Sequence, residues 1–324
     1  MTVLVTGCAG FIGFHTALAL LQRDEAVIGV DVVNDYYDPA LKEARLAILG
    51  QHPGFALHRL DIADRAAMTG LAAAHPEIDR IVHLAAQAGV RYSLTNPYAY
   101  TRSNVEGQLV ILELARQLPR CEHLVYASSS SVYGANTKLP FAVEDRVDQP
   151  ISLYAATKKS CELMAHCYSH LFAIPTTGLR FFTVYGPWGR PDMSAFLFLK
   201  AILAGEPIHV FNGGDMRRDF TYIDDIVQGV LAVLDRPPPG PGLPYRLYNI
   251  GNHRSEPLMR FIGLIEQAVG IKAEIVFEPM QPGDVKETFA DIEAISRDVG
   301  FAPATTIDQG IPRFVEWYRQ YYGQ

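Results

Sequence analysis

Tyr154 and Lys158 stand four residues apart in the stretch YAATK. Residues at i and i+4 share one face of a helix, so a phenol and an ammonium would meet there. An ordinary tyrosine has a pKa of about 10, which leaves roughly 0.1% phenolate at neutral pH. One cation about 4 Å away, at an effective dielectric of about 20, contributes on the order of 4 kcal/mol, or about three pKa units. A phenol so placed can take the proton of an alcohol. Upstream, residues 126–134 read YASSSSVYG, with four serines in a row, Ser128 to Ser131. Hydroxyls donate and accept, so they can grip a substrate oxygen without bringing a charge. No carboxylate interrupts the run.

A second constellation lies at the N-terminal end. VTGCAGFIG places Gly7, Gly10 and Gly13 at G-x-x-G-x-x-G spacing, after an apolar run and before a helical one. Such glycines let the backbone close on a pyrophosphate, whose charge meets the N–H groups of the helix N-terminus. Asp31 ends the next apolar run. A carboxylate there accepts hydrogen bonds from an adenosine ribose and repels a 2′-phosphate, which favours NAD over NADP. Asp61 and Ile62 end the third run, where an adenine edge would lie. The expected cofactor lining is Gly7, Gly10, Phe11, Ile12, Gly13, Asp31, Asn34, Asp61, Ile62, Leu84, Ala85 and Ala86, with Tyr154 and Lys158 at the reactive end.

These groups need a scaffold, and the first half of the chain supplies a regular one. Strands are expected at Val3–Val5, Ala26–Val30, Phe55–Leu60, Arg80–Leu84, Leu124–Ala127 and Thr176–Phe182. Helices are expected at Ile12–Arg23, Leu41–Leu49, Asp64–Ala74, a long stretch over Pro97–Gln117, and Ser152–Phe172. Strands alternating with helices of this length imply an α/β fold, a Rossmann-type doubly wound parallel sheet covered on both faces. Ligands then sit at the carboxyl ends of the strands. After about residue 185 the rhythm loosens and Gly and Pro cluster. The expected division is a Rossmann domain over 1–186 and about 217–251, and a smaller C-terminal substrate lobe from about 187–216 and 252–324. The Pro/Gly run at 237–244 reads as a surface loop.

Composition narrows the classes. The chain has 324 residues, 49% of them hydrophobic, with a net charge of −7. No basic patch appears, so nucleic acid is not an expected partner. No apolar run approaches the ~18–20 residues that span a bilayer, and the N-terminus shows no signal-peptide pattern. The four cysteines lack zinc or CxxC spacing, which fits a reducing cytoplasm. The ten histidines are scattered without ligand spacing, so no metal is expected.

TGCAGFIG, YASSSSVYG, YAATK and RDFTYIDD, in this order, resemble an extended short-chain dehydrogenase/reductase of the nucleotide-sugar epimerase type. The resemblance covers essentially the whole chain. It implies that Ser129 hydrogen-bonds the sugar 4-oxygen, that Tyr154 takes the proton of the 4-hydroxyl, and that hydride leaves C4 for NAD. The 4-keto sugar would turn over within the site, and hydride would return to its other face. It also implies a homodimer built on the helices near 97–117 and 152–172. Arg218 matches the family arginine that meets the UDP pyrophosphate. Arg91 is a second candidate for that contact, and Asp284 one for the nucleotide ribose. Asn104 is expected to organise the Tyr154 neighbourhood rather than touch substrate.

Departures within the family sharpen the reading. Relatives that eliminate water resemble TDEVYG at this place, and those that decarboxylate UDP-glucuronate resemble TSEVYG. Here both acid positions, Ser130 and Ser131, are hydroxyls, so elimination lacks its acid/base pair. NDYYDPALKEARL resembles the stretch typical of UDP-glucuronate 4-epimerases, as does MQPGDVKETFAD. Thr183 stands where galactose epimerases carry Asn, and Arg190 offers a cation nearby. The resulting expectation is reversible 4-epimerisation of UDP-glucuronate, with Ser130, Ser131, Thr183 and Arg190 holding the carboxylate. The alternatives are a 4-epimerase of neutral UDP-glucose or UDP-N-acetylglucosamine, a net oxidoreductase that releases NADH, and a non-catalytic dinucleotide sensor.

Overall fold

A computed structural model describes residues 1–239 and 242–324. Its strands, in chain order, are β1 Thr2–Thr6, β2 Ala26–Val30, β3 Phe55–His58, β4 Arg80–His83, β5 His123–Ser129, β6 Thr176–Phe181, β7 Thr183–Tyr185, β8 Ile208–Phe211, β9 Arg217–Tyr222, β10 Tyr245–Ile250, β11 Ser255–Pro257 and β12 Ile275–Glu278. Seven of them form a parallel sheet in the order β10-β6-β5-β4-β1-β2-β3. Both faces of a parallel sheet are covered, which is why its strands read as continuous apolar runs rather than alternating ones. Side chains still alternate between faces. Val3 and Val5 join one core cluster with Phe14, Leu20 and Ile226, while Leu4 joins the other with Met68, Leu112 and Leu124. Each fully buried Leu or Phe contributes about 1.5–3 kcal/mol.

The order reverses between β1 and β4, the switch point that opens a crevice at the strand ends. The helix Phe11–Gln22 begins directly beneath it, and the helix Leu153–Phe172 begins beside β5.

Two elements differ from the sequence expectation. The long helix at 97–117 is three pieces: α-helix at Pro97–Tyr100, a π-helical turn at Thr101–Glu106, and α-helix at Gly107–Gln117. The π turn sets Asn104 and its carbonyl apart, and the Cys161 thiol donates to that carbonyl at 3.1 Å. Hydrophobic periodicity carries no signal for one inserted residue. Within 217–251, β10 returns to the main sheet, but β9 pairs with β7 and β11 in a separate three-stranded sheet. The buried Asp219 carboxylate fixes that arrangement by accepting the N–H groups of Asn252 and Ala290. Of the Pro/Gly run at 237–244, residues 240 and 241 lie outside the described residues.

Candidate active site

A cavity of about 390 Å³ opens at the carboxyl ends of β1, β2, β4 and β5. Every residue named for the cofactor lines it, as do Ser129, Ser130, Ser131, Thr183 and Arg190.

Its floor is the glycine loop. Gly7 has φ +73°, and a Cβ there would lie 2.7 Å from the Ala85 nitrogen. A Cβ on Gly13 would collide with the Gly7 carbonyl. Both positions therefore require glycine. Gly10 caps the following helix without a side chain, so the first-turn N–H groups and the positive helix end are left for a ligand. The Asp31 carboxylate is held in place by the Ala9 and Val33 N–H groups, at 3.0 and 2.8 Å. Asp61 accepts from Ala63 at 2.9 Å and pairs with Arg102 at 2.8 Å. A cradle without side chains, a helix N-terminus and a fixed carboxylate fit a dinucleotide.

The reactive end rests on β5 and the helix Leu153–Phe172. Ser152 caps that helix by accepting the Ala155 N–H at 3.1 Å, which starts Tyr154 in the first turn. Lys158 is buried, and its ammonium donates to the Ala127 carbonyl at 2.8 Å. That bond fixes the cation to the strand that carries the serines. The Tyr154 ring meets the edge of Tyr100, with centroids 5.9 Å apart. Asn104 joins the Gln87 backbone to the Thr157 hydroxyl, and Thr157 donates in turn to the Tyr154 carbonyl. Below the floor, His83 shares a 2.7 Å hydrogen bond with Thr6. Burial, helped by the Lys158 charge, lowers His83 to about 3 and keeps it neutral.

The four serines divide. The Ser128 hydroxyl donates at 2.7 Å to Glu162, a buried carboxylate paired with Arg180. Ser129 accepts the Ser131 N–H at 3.2 Å and caps the 3-10 turn Ser130–Tyr133. Ser130, Ser131 and Thr183, the last at the start of β7, are partly exposed and line the same cavity.

Arg190 is close but not free. Its Nε and Nη2 donate to Asp192, at 3.0 and 2.5 Å, and Tyr36 donates to the same carboxylate at 3.0 Å. Burial alone would raise the Asp192 carboxyl; the Arg190 charge and hydrogen bonds outweigh it and hold the group below the usual range. The guanidinium is thus oriented by two hydrogen bonds and its charge is already matched.

Arg91, Arg218 and Asp284 lie outside this cavity. Arg218 pairs with Asp284 at 2.7 Å, and the Arg91 guanidinium sits 4.9 Å from the Phe211 ring centre. The group adjoins the cavity through Val90, whose Cγ1 would lie 3.2 Å from a Cβ on Gly283.

Sequence reasoning missed Tyr36, Tyr37 and Lys42, all of which line the cavity. The Lys42 ammonium donates to the Asn34 carbonyl and side chain at 2.6 and 2.7 Å. One signal was available: Lys42 and Arg45 fall on the apolar stripe of Leu41, Leu46 and Leu49, where cations need a reason to be. Among the described residues, no three His, Cys, Asp or Glu converge on a point that could hold a metal. No helix among them is long and apolar enough to cross a membrane.

Comparison with known proteins bears on this geometry. Residues 3–251 match the model of the NAD dependent epimerase/dehydratase family. The chain is 48% identical to a protein named probable UDP-glucuronate 4-epimerase from Rhizobium meliloti, over 99% of this chain and 98% of that one. It is similar in structure to a UDP-glucuronic acid 4-epimerase from Bacillus cereus solved with UDP-glucuronic acid and NAD, at TM-score 0.92 and 33% identity, over 99% and 100% of the two chains. A UDP-glucose 4-epimerase from Thermotoga maritima with UDP-glucose superposes at TM-score 0.89 and 28% identity, with the same coverage.

Proposed function

From a chain that belongs to the NAD dependent epimerase/dehydratase family, we propose an isomerase that interconverts UDP-glucuronate and UDP-galacturonate at C4, with NAD as a retained cofactor and without decarboxylation. One observation carries the reading. The Lys158 ammonium is pinned to the strand of a carboxylate-free serine run, beside Tyr154, at the end of a dinucleotide cradle.

Gly7, Gly10, Gly13, Phe11 and Ile12 would hold the pyrophosphate, Asp31 and Asn34 the adenosine ribose, and Asp61 and Ile62 the adenine. Leu84, Ala85 and Ala86 would line the path to the nicotinamide. When bound, NAD takes hydride from C4 of the sugar and returns it. Tyr154 accepts the C4 hydroxyl proton and later gives it back, and the Lys158 charge stabilises the phenolate oxygen meanwhile. Ser129 donates to the 4-oxygen. The 4-keto uronate is a β-keto acid, so its carboxylate must stay near the plane of the ketone, where the breaking C–C bond cannot overlap the carbonyl π system. Ser130, Ser131 and Thr183 supply neutral donors for that restraint, and Arg190 an oriented cation. Arg218 and Arg91 are assigned to the UDP diphosphate, and Asp284 to the nucleotide ribose.

The Asp192 partner of Arg190 supports one rival, a neutral UDP-hexose, because the site's cation is already balanced. The segments 187–216 and 252–324 form the UDP-sugar lobe in this reading, and 1–186 with 217–251 the cofactor domain. The exposed Leu109, Leu163, Leu171 and Phe172 on the helices Gly107–Gln117 and Leu153–Phe172 support a homodimer through those helices. Four unpaired cysteines support a cytoplasmic setting.

Incubation with UDP-glucuronate and substoichiometric NAD should convert far more sugar than NAD present, with UDP-galacturonate as product. UDP-glucose and UDP-N-acetylglucosamine, run in parallel, should react far more slowly. Conversion that stops at one equivalent of NAD, or faster reaction of a neutral sugar, overturns the proposal.

A further inference from the structure

Three consecutive backbone carbonyls, those of Pro187, Trp188 and Gly189, turn inward just before Arg190, and each has a side-chain partner. His15 lies 2.9 Å from the Pro187 oxygen through Nε2. Burial lowers this histidine to about 4, so it is neutral and Nε2 donates. Arg45 donates through Nη2 to the Trp188 and Gly189 carbonyls, at 2.6 and 3.4 Å. Its other arm, Nη1, donates to the Ala9 carbonyl in the glycine loop at 2.7 Å and to the Tyr37 hydroxyl at 2.8 Å. Arg45 is fully buried, its partners are all neutral, and its Nε has none. A buried guanidinium without a carboxylate is a costly way to fill space. Its planar fork, however, is suited to bridging two backbone segments.

The bridged turn is itself tightly constrained. Trp188 has φ +61°, uncommon for a bulky residue. Its ring is wedged among Phe14, Trp317 and Tyr321. The turn therefore has little freedom of its own, and Arg45 couples its position to that of the loop beneath the cofactor.

We propose that Arg45 is a positioning residue for the substrate carboxylate: it ties the glycine loop to the 187–189 turn and so sets where Arg190 stands. The proposal rests on the uronate reading above. It makes Arg45 a determinant of acid-sugar recognition although it lies behind the wall of the cavity and touches no substrate.

The test is a double-mutant cycle on the NAD-loaded protein, in a Tyr154→Phe background that prevents turnover. UDP-glucuronate and UDP-glucose affinities are measured by calorimetry for Arg45→Lys, Arg190→Ala and the pair. Lysine keeps the charge but cannot bridge both loops. Melting temperature and bound NAD report whether each variant is folded and loaded. Arg45→Lys should weaken UDP-glucuronate about tenfold and UDP-glucose less than twofold. Adding it to Arg190→Ala should cost little more, because the two act through one contact. Equal weakening of both sugars, additive losses, or no change overturns the strut. Should Arg45→Lys not fold, Arg45→Gln, whose amide can reach one segment but not both, takes its place in the cycle with the same criteria. A parent protein that binds UDP-glucose but ignores UDP-glucuronate overturns the uronate reading itself, and the strut with it.

Discussion

Behind the serine run lies a buried ion pair whose removal gives a calculable loss of stability. Glu162 accepts Arg180 Nε at 2.7 Å and Nη2 at 2.9 Å, and the Ser128 hydroxyl at 2.7 Å. Their side chains are 2% and 1% exposed. Arg180 also donates to the Tyr133 hydroxyl at 3.0 Å. Removing Glu162 leaves the Arg180 charge buried without a carboxylate, and removing Arg180 leaves Glu162 only the more distant Lys159 at 3.4 Å; breaking such a buried pair costs about 3–5 kcal/mol. Unfolding entropy of about 2.1 cal/mol/K per residue, over 324 residues, is about 0.7 kcal/mol/K. Glu162→Gln and Arg180→Met should therefore each lower the melting temperature by about 4–7 °C, measured by scanning calorimetry on NAD-loaded protein. Combining them should cost clearly less than the sum, since the double variant buries no unpaired charge. Single shifts under about 1 °C, or an additive double variant, would refute the claim that each of these two charges depends on the other for its burial.

Thr183→Val should release UDP-4-keto-pentose alongside UDP-galacturonate, detected by mass spectrometry, and Arg190→Ala should do the same; loss of all turnover without that product contradicts the carboxylate restraint. Gly13→Ala should abolish copurifying NAD, read as released nucleotide after denaturation, because its Cβ collides with the Gly7 carbonyl; retained NAD would mean that the loop can shift. Stability should fall as pH drops below about 6.5, because buried His123 titrates only near 4, so the unfolded chain binds the proton first. That slope is about 1.4 kcal/mol per pH unit for each such histidine, and His123→Phe should flatten it by about that amount between pH 6 and 4.5, after allowance for the lost Thr177 and Leu234 hydrogen bonds.

The sheet was legible because its strands are buried on both faces and read as unbroken apolar runs. The glycine loop was legible because only glycine satisfies the clash at Gly13 and the positive φ at Gly7. What the sequence hid were choices made by tertiary contacts. Four adjacent serines look alike in a string, yet only the fold shows that Glu162 takes up the Ser128 hydroxyl. Arg190 has its carboxylate partner Asp192 only two residues on, but the sequence gives no sign that Tyr36, from a distant segment, donates to the same carboxylate. The π turn at 101–106 leaves no trace in periodicity. Arg91, Arg218 and Asp284 come from three distant segments, and only the fold shows that they gather beside the cavity rather than within it.

In the proposed reaction one carbon is oxidised and reduced inside one cavity, with no intermediate released. UDP-glucuronate carrying deuterium at C4 tests this directly. After many turnovers in ordinary water with catalytic NAD, NMR of the UDP-galacturonate should find the deuterium still at C4. Replacement of that deuterium by solvent hydrogen would contradict the account.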